Sequence, residues 1–235
     1  MRRLWPLVPV YLALLLWVDR GVTLDGQYAL GALTWLVLVA AAWTLSPERR
    51  AQVAVVVCAA TVGEVTGSLI WGVYHYRLHN LPLFVPPAHG LVYLTGIALA
   101  ASLRRHERLL VLAAAAAAVA WGIAGLTVLP RLDVAGALGV PLLCLFLWRS
   151  RARAGYAGVF FAVAALELYG TAIGTWQWER ALPGFGIADG NPPSGVASGY
   201  VWFDVMALLL APYLLVVVRR FGRAPSPSAG LVGER

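Results

Sequence analysis

Long apolar runs constrain this chain more than any other feature. Eight such runs, about 15 to 21 residues long, alternate with short polar segments. A bilayer core of about 30 Å requires about 20 apolar residues in a helix, so each run is a candidate membrane span. Of the 235 residues, 60% are hydrophobic and only 12% charged, against roughly 25% charged in soluble domains. The sequence therefore predicts an all-α fold, a polytopic membrane helix bundle.

The predicted spans are residues 4–18, 28–46, 53–73, 89–103, 109–129, 134–148, 156–176 and 199–218. The first, fourth and sixth are about 15 residues long. These three need either loop residues or a locally thin bilayer to cross a membrane.

The arginines orient these spans. Fourteen of the 18 basic residues, all arginines, lie before the first span, in every second loop or after the last span, and four lie in the other loops. Because cytoplasmic loops are enriched in basic residues, this alternation predicts eight spans in the cell membrane with both termini in the cytoplasm. The net charge of +7 does not indicate a nucleic-acid partner, because the arginines are dispersed between apolar runs.

The two ends of the chain need separate interpretation. The first run resembles a signal peptide, but Trp17, Asp19 and Arg20 stand where a small-x-small cleavage site would lie, so we expect it to be retained as a span. Residues 1–218 are predicted to form a single transmembrane domain. Residues 219–235, rich in Pro, Ser and Gly, are expected to be a disordered cytoplasmic tail.

Two stretches of the chain read alike. Both contain Glu-x-x-Gly, two aromatic residues separated by one position, Leu-Pro-x-Phe, and Pro-Pro shortly before a glycine; one begins at Glu64 and the other at Glu167. The corresponding predicted spans cross the membrane in the same direction, as a 4+4 parallel repeat with halves 1–103 and 104–218 requires. The alternative is that membrane loops simply favour Pro, Gly and interfacial aromatics.

Three acidic residues fall inside predicted spans: Glu64, Glu167 and Asp204. A charged side chain within the bilayer is costly, so such residues often have a function or a partner. A carboxyl group that is protonated in an apolar cavity can donate its proton, which makes these three the candidate catalytic residues. The alternative is that each carboxyl group hydrogen-bonds a neighbouring helix and only holds the bundle together.

The loops at 74–89 and 177–198 combine aromatics, polar residues and Pro-Pro, which is typical of ordered caps over a pocket. We therefore expect aromatic and polar residues in and beside these loops to bind the substrate: Trp71, Tyr74, Tyr76, His89, Tyr93, Trp176, Trp178, Asn191, Tyr200 and Trp202. No metal site is predicted, because the prolines at 82, 86 and 87 are expected to break a helix that would align His79 with His89. A histidine here is a better candidate for a hydrogen-bond partner or a proton relay.

The same two stretches resemble the integral-membrane carotenoid hydratase family, whose relatives include membrane lycopene cyclases. The residues that carry the resemblance are Glu64, Gly67, Gly72, Tyr74, Tyr76, Pro82, Val85 and Pro86, followed by Trp176, Trp178, Gly186, Ile187 and Asn191. The resemblance implies an enzyme that protonates a carbon–carbon double bond of a polyprenoid. Water or a second alkene then reacts with the cation.

The main functional prediction is an acid-catalysed isoprenoid-lipid enzyme that needs no cofactor, with Glu64 as the proton donor and Asp204 or Glu167 as its partner. Its expected partners are an isoprenoid or other lipid small molecule and the membrane. The alternatives are a proton-coupled transporter or lipid carrier, in which the carboxyl groups load and release protons, and a non-catalytic assembly protein.

Overall fold

The computed structural model describes residues 6–222. Its helices are α1 (Leu7–Asp19), α2 (Leu24–Trp43), α3 (Pro47–Glu64), α4 (Val85–Ser102), α5 (Glu107–Thr127), α6 (Val134–Arg149), α7 (Arg153–Ala172), α8 (Val196–Gly199) and α9 (Val201–Gly222). A π-helix, Val65–Trp71, continues α3, and a 3₁₀ turn, Arg104–His106, precedes α5. Two three-residue strands, β1 (Tyr74–Tyr76) and β2 (Trp176–Trp178), complete the fold.

The mostly helical fold predicted from the apolar runs is confirmed. Five continuous helical stretches are long and apolar enough to cross a membrane: Leu24–Trp43, Pro47–Trp71, Arg104–Thr127, Arg153–Ala172 and Val196–Arg220. α1 and α6 are shorter apolar helices. Large apolar side chains point outward from the bundle, including Leu36, Leu112 and Leu138, which are 67%, 66% and 69% exposed. Surfaces of this kind are compatible with contact to lipid.

Two helices begin earlier in the chain than predicted, and each has proline in its first turn. Pro47 occupies the first turn of α3, and the Ser46 hydroxyl accepts a hydrogen bond from the backbone N–H of Arg49. Pro86 and Pro87 likewise lie in the first turn of α4, where a missing N–H removes no helical hydrogen bond. His89 therefore lies on α4, as the predicted span 89–103 requires, whereas His79 lies before this helix with a positive φ, so the two histidines do not share a helix.

The described end of the chain also differs from expectation. α9 continues to Gly222, so residues 219–222 are helical and are not part of a disordered tail. Residues 223–235, the rest of the predicted tail, lie outside the described residues. At the other end, α1 begins at Leu7, and residues 4 and 5 of the first predicted span also lie outside them.

The seventh predicted span ends early because Gly174, in the left-handed region at φ +79°, follows α7. Trp176 therefore lies on β2 and not on a helix. The strands β1 and β2 pair antiparallel, with Tyr74 opposite Trp178 and Tyr76 opposite Trp176. The apolar runs contain no signal for this pairing, because each strand has only three residues and its partner lies about 100 positions away.

Four helices form the centre of the bundle. α3 packs most extensively against α9, and α4 packs to a similar extent against α7. The contact between α4 and α7 depends on two glycines: a Cβ on Gly96 would meet the backbone of Val159, and a Cβ on Gly158 would meet the backbone of Gly96. Small residues at such crossings allow helix backbones to approach closely in membrane bundles.

This close approach predicts that Gly158→Ala destabilises the protein. The added methyl group would displace α7 from α4, at a cost of about 1–3 kcal/mol. Thermal unfolding of the detergent-solubilised protein measures the effect. Gly155→Ala is the matched control on the same helix, because its Cβ would meet only the end of the Ile97 side chain at 3.3 Å. Equal melting temperatures for the two variants would contradict the prediction.

Candidate functional site

A cavity of about 240 Å³ lies between α3, α4, α7 and the α8–α9 segment, beside the paired strands. We call it the carboxyl cavity, because Glu64 and Glu167 both line it. Six of the residues expected to bind substrate also line it: Tyr74, Tyr76, His89, Trp176, Trp178 and Tyr200. Most of the remaining lining is apolar, including Leu16, Phe84, Val92 and Phe203.

Glu64 is surrounded by hydrogen-bond donors. Its Oε2 accepts hydrogen bonds from the hydroxyls of Tyr74 and Tyr76, both at 2.7 Å. Its Oε1 lies 3.0 Å from Nε2 of His89, and Nδ1 of His89 lies 2.7 Å from the hydroxyl of Tyr200. Hydrogen bonds to both oxygens suit an ionised carboxylate, which can only accept. The result is a continuous polar chain that runs from Tyr200 through His89 to Glu64.

Glu167 has a different environment. Its Oε2 accepts hydrogen bonds from the indole N–H groups of Trp176, at 2.9 Å, and Trp178, at 3.3 Å. Within residues 6–222, its Oε1 receives no hydrogen bond. The side chain lies among the cavity-lining residues, so one oxygen is held by the indoles and the other is left for a ligand or a proton.

The two carboxyl groups are held by equivalent local structures. In each, the Oε2 atom accepts hydrogen bonds from two aromatic side chains, two positions apart, on the strand that follows its own helix. The glycine of each Glu-x-x-Gly motif provides space for one of these rings. A Cβ on Gly67 would lie 3.0 Å from the Tyr74 ring, and a Cβ on Gly170 would overlap the Trp176 ring.

The π-helix accounts for the one-residue difference in spacing between each glutamate and its first aromatic partner. Tyr74 follows Glu64 by ten positions, whereas Trp176 follows Glu167 by nine. A π-helical turn accommodates one more residue than an α-helical turn, and such turns are frequent at functional sites. Gly72 and Gly174, both with positive φ, then turn the chain into β1 and β2.

Asp204 does not line the carboxyl cavity. It lies in the first turn of α9, four positions after Tyr200, and is only 4% exposed. Its Oδ2 is buried with no hydrogen-bond partner in the described part of the chain. The structure therefore does not bring the third acidic residue together with Glu64 and Glu167.

Four of the residues expected to bind substrate also lie outside the cavity. Trp71 is 42% exposed and donates through Nε1 to the Pro183 carbonyl, and Trp202 is 53% exposed. The Tyr93 hydroxyl contacts Arg49 and Gln52 near the start of α3. Asn191 accepts a hydrogen bond from the backbone N–H of Trp178, so it positions β2.

Sequence reasoning missed several apolar lining residues. Phe84 closes the Leu-Pro-x-Phe motif and was recognisable only as part of the repeat. Phe203 lies on α9, three positions after Tyr200, which immediately precedes this helix, so the two side chains lie on the same side. Only the packing of the helices decides that this face meets the cavity.

Histidine and carboxylate side chains in residues 6–222 form no group of three or more that could hold a metal ion. The rings of His75 and His79 are tilted by 46° with their centroids 5.8 Å apart, and His75 pairs with the exposed Glu179. His89 is engaged with Glu64 and Tyr200, as described above.

No family model, no curated protein and no solved structure matches the chain.

A buried aspartate anchors the loop that follows β2. The Asp133 carboxylate accepts hydrogen bonds from the backbone N–H groups of Gly136, Gly190 and Ser194, at 3.0, 3.0 and 2.6 Å. Asp189, also in this loop, is only 2% exposed. Burial, together with the negative charge of Asp133, raises the pKa of Asp189 to about 7.

The raised pKa predicts a pH-dependent stability. The folded protein binds the Asp189 proton more tightly than the unfolded chain, so the free energy of unfolding should fall as pH rises from about 4 to about 7. Asp189→Asn should remove that part of the pH dependence. Melting temperatures across this pH range measure the change in stability. Asp25→Asn, at an exposed position, is the control. An unchanged slope in the Asp189 variant would contradict the assignment.

The Glu-x-x-Gly geometry predicts a graded effect of glycine substitutions. Gly170→Ala should displace Trp176 from Glu167 and cost about 1–3 kcal/mol of stability, and Gly67→Ala should cost less, since its Cβ meets the Tyr74 ring less closely. Gly199→Ala should change little, because its Cβ would meet nothing within 4 Å. Thermal unfolding ranks the three variants, and a different order would contradict this account.

Proposed function

We propose that this chain is a membrane-embedded enzyme that protonates a carbon–carbon double bond of an isoprenoid lipid and directs hydration or cyclisation of the resulting cation. One observation carries the proposal. A single aromatic-lined cavity contains two carboxyl groups with different hydrogen-bond environments. Both oxygens of Glu64 are hydrogen-bonded, whereas only one oxygen of Glu167 is. Pairs of carboxyl groups in different environments are typical of sites that divide acid and base roles.

Glu167 is the proposed proton donor. Its Oε2, held by two indole N–H groups, suits the carbonyl oxygen of a neutral acid, and its Oε1 suits the hydroxyl. Two ionised carboxylates in one apolar cavity would repel each other, which favours a state in which one of the two carboxyl groups is protonated. These contacts favour Glu167 over Glu64, to which the sequence pattern had assigned the donor role.

Glu64, His89 and Tyr200 are the proposed proton acceptor group. Glu64 orients His89 and would stabilise it as an imidazolium, as the carboxylate of a catalytic triad does for its histidine. Tyr200 holds the opposite ring nitrogen. His89 is therefore placed to take a proton through a ring nitrogen when an adjacent hydrogen-bond partner moves.

The proposed reaction begins with protonation of the alkene by Glu167. The alkene π electrons form a C–H bond with the Glu167 proton, which leaves a carboxylate and a tertiary carbocation. In hydration, a water oxygen forms a C–O bond and its proton passes to His89. In cyclisation, a second alkene forms a C–C bond and the final cation loses its proton to His89. Transfer of that proton back to Glu167 restores the starting state.

The walls of the cavity suit such a cation. Trp and Tyr rings attract positive charge through their quadrupole, and the four strand aromatics bring such rings to the cavity from both strands. The volume of about 240 Å³ lies just below the range of about 300–1,000 Å³ for sites that hold whole drug-sized ligands. One end of a long isoprenoid would therefore enter, while the rest would lie in the bilayer. The resemblance to carotenoid hydratases and lycopene cyclases supports the same substrate class.

The proposal includes the finer architecture. We propose eight spans in the cell membrane, cytoplasmic termini and two related halves of four spans. The matching glutamate–aromatic contacts, the antiparallel pairing of β1 with β2, and the reciprocal packing of α3 on α9 and α4 on α7 support a two-fold relation between the halves. The alternating arginines support the orientation.

The test is deuterium transfer to an isoprenoid. Purified protein in lipid nanodiscs is incubated in D₂O with carotenoid and polyprenyl lipids, and the products are analysed by mass spectrometry. Wild-type protein should place deuterium on a carbon of one double bond. Glu167→Gln should lower that rate by about 10²–10⁴-fold, the usual contribution of a general acid. Glu64→Gln should lower it as well, by leaving His89 without its orienting carboxylate.

Glu179→Gln is the matched control, because Glu179 lies directly after β2 but is 46% exposed and pairs with His75. It should retain the wild-type rate. Full activity of Glu167→Gln, or no deuterium uptake by any isoprenoid tested, would refute the mechanism. Proton movement into liposomes driven by a solute gradient would instead favour the transporter alternative.

A further inference from the structure

A second crevice, separate from the carboxyl cavity, opens where α4 ends and α5 begins. It has a volume of about 430 Å³ and is almost entirely apolar. Its walls are Leu99 of α4, Leu103 directly after that helix, Leu109, Leu110 and Ala113 of α5, and Phe161 of α7. Leu109 is 66% exposed, so the crevice is continuous with the apolar outer surface of the bundle.

One edge of this crevice is strongly basic. His106 lines it, and the turn that carries His106 also contains Arg104 and Arg105, with Arg108 in the first turn of α5. All three arginines are exposed. They form no ion pair with another residue in the 6–222 range. Charge of one sign therefore concentrates at the mouth of an apolar groove.

The start of α5 adds a further feature that favours an anion. No side chain caps this 21-residue helix, and the dipole of a helix favours an anion near its N-terminus. The nearby acidic residue, Glu107, is engaged by Arg153 at 2.9 Å. Its negative charge is thus partly balanced within the protein and does not oppose an anion at the arginines.

We infer that this crevice binds one acyl chain of an anionic glycerophospholipid, with the lipid phosphate held by Arg104, Arg105, Arg108 and the start of α5. The apolar walls suit a hydrocarbon chain, and the basic rim suits the phosphate at the depth where headgroups lie. Both parts are needed, because an isolated basic turn would attract any anion and an isolated groove would accept any lipid.

The position of the site gives it a structural consequence. The crevice contacts α4, α5 and α7 together, and α4 and α7 carry His89 and Glu167 of the carboxyl cavity. A lipid bound there joins the two helices at the end opposite the cavity. This inference does not depend on the proposed reaction, because it concerns lipid binding only.

The test is a lipid titration followed by native mass spectrometry of the detergent-solubilised full chain. Phosphatidylglycerol should bind as a single tight adduct, and phosphatidylcholine with the same acyl chains should bind much more weakly. Replacing the three arginines together (R104Q/R105Q/R108Q) should weaken phosphatidylglycerol binding roughly 100-fold, at about fivefold for each basic residue near the membrane surface. R151Q/R219Q/R220Q, which removes the same charge from exposed positions that do not line the crevice, should leave that affinity unchanged.

Two further measurements separate the parts of the site. Ala113→Trp should fill the groove and weaken phosphatidylglycerol binding while all three arginines remain. Inorganic phosphate at matched concentration should not displace the lipid. Equal binding of the two lipids, an equal loss in both triple variants, or displacement by phosphate alone would each overturn the inference.

Discussion

The pairing of β1 with β2 is the interaction on which the rest of the site depends. Six residues, three from each strand, form a small antiparallel sheet between two helical segments that are otherwise distant in the chain. Backbone polar groups in an apolar bundle must find partners, and here each strand supplies them for the other. The pairing fixes four aromatic side chains and, through their hydrogen bonds, the two glutamates.

The two halves of the site are similar in construction and different in chemistry. Phenols and an imidazole surround Glu64, whereas two indoles contact Glu167 through one oxygen only. His89 has no equivalent in the second Pro-Pro stretch, where Ser194 and Gly195 follow directly. A repeated scaffold with unequal polar groups can thus separate the donor and acceptor of a proton within one small cavity.

Glycines make this arrangement possible at the contacts where side chains would collide. Gly67 and Gly170 leave space for the aromatic rings that reach the carboxyl groups, and Gly96 and Gly158 allow α4 and α7 to approach. At the helix ends, Gly72 and Gly174 instead provide the positive φ that turns the chain into β1 and β2. The repeated Glu-x-x-Gly motif is therefore explained by ring packing next to a carboxyl group.

The sequence alone determined the helical bundle, the two glutamate–aromatic stretches and most of the aromatic lining. The length of an apolar run and the spacing within a motif are properties of short segments, so both can be read from the sequence. It also indicated that the loops are ordered. Only the tertiary structure decided that β1 pairs with β2, that Glu64 and Glu167 share a cavity while Asp204 lies outside it, and that Trp71 and Trp202 are exposed. Those outcomes depend on which helix faces meet, and on hydrogen bonds between residues up to 112 positions apart. No local pattern encodes them.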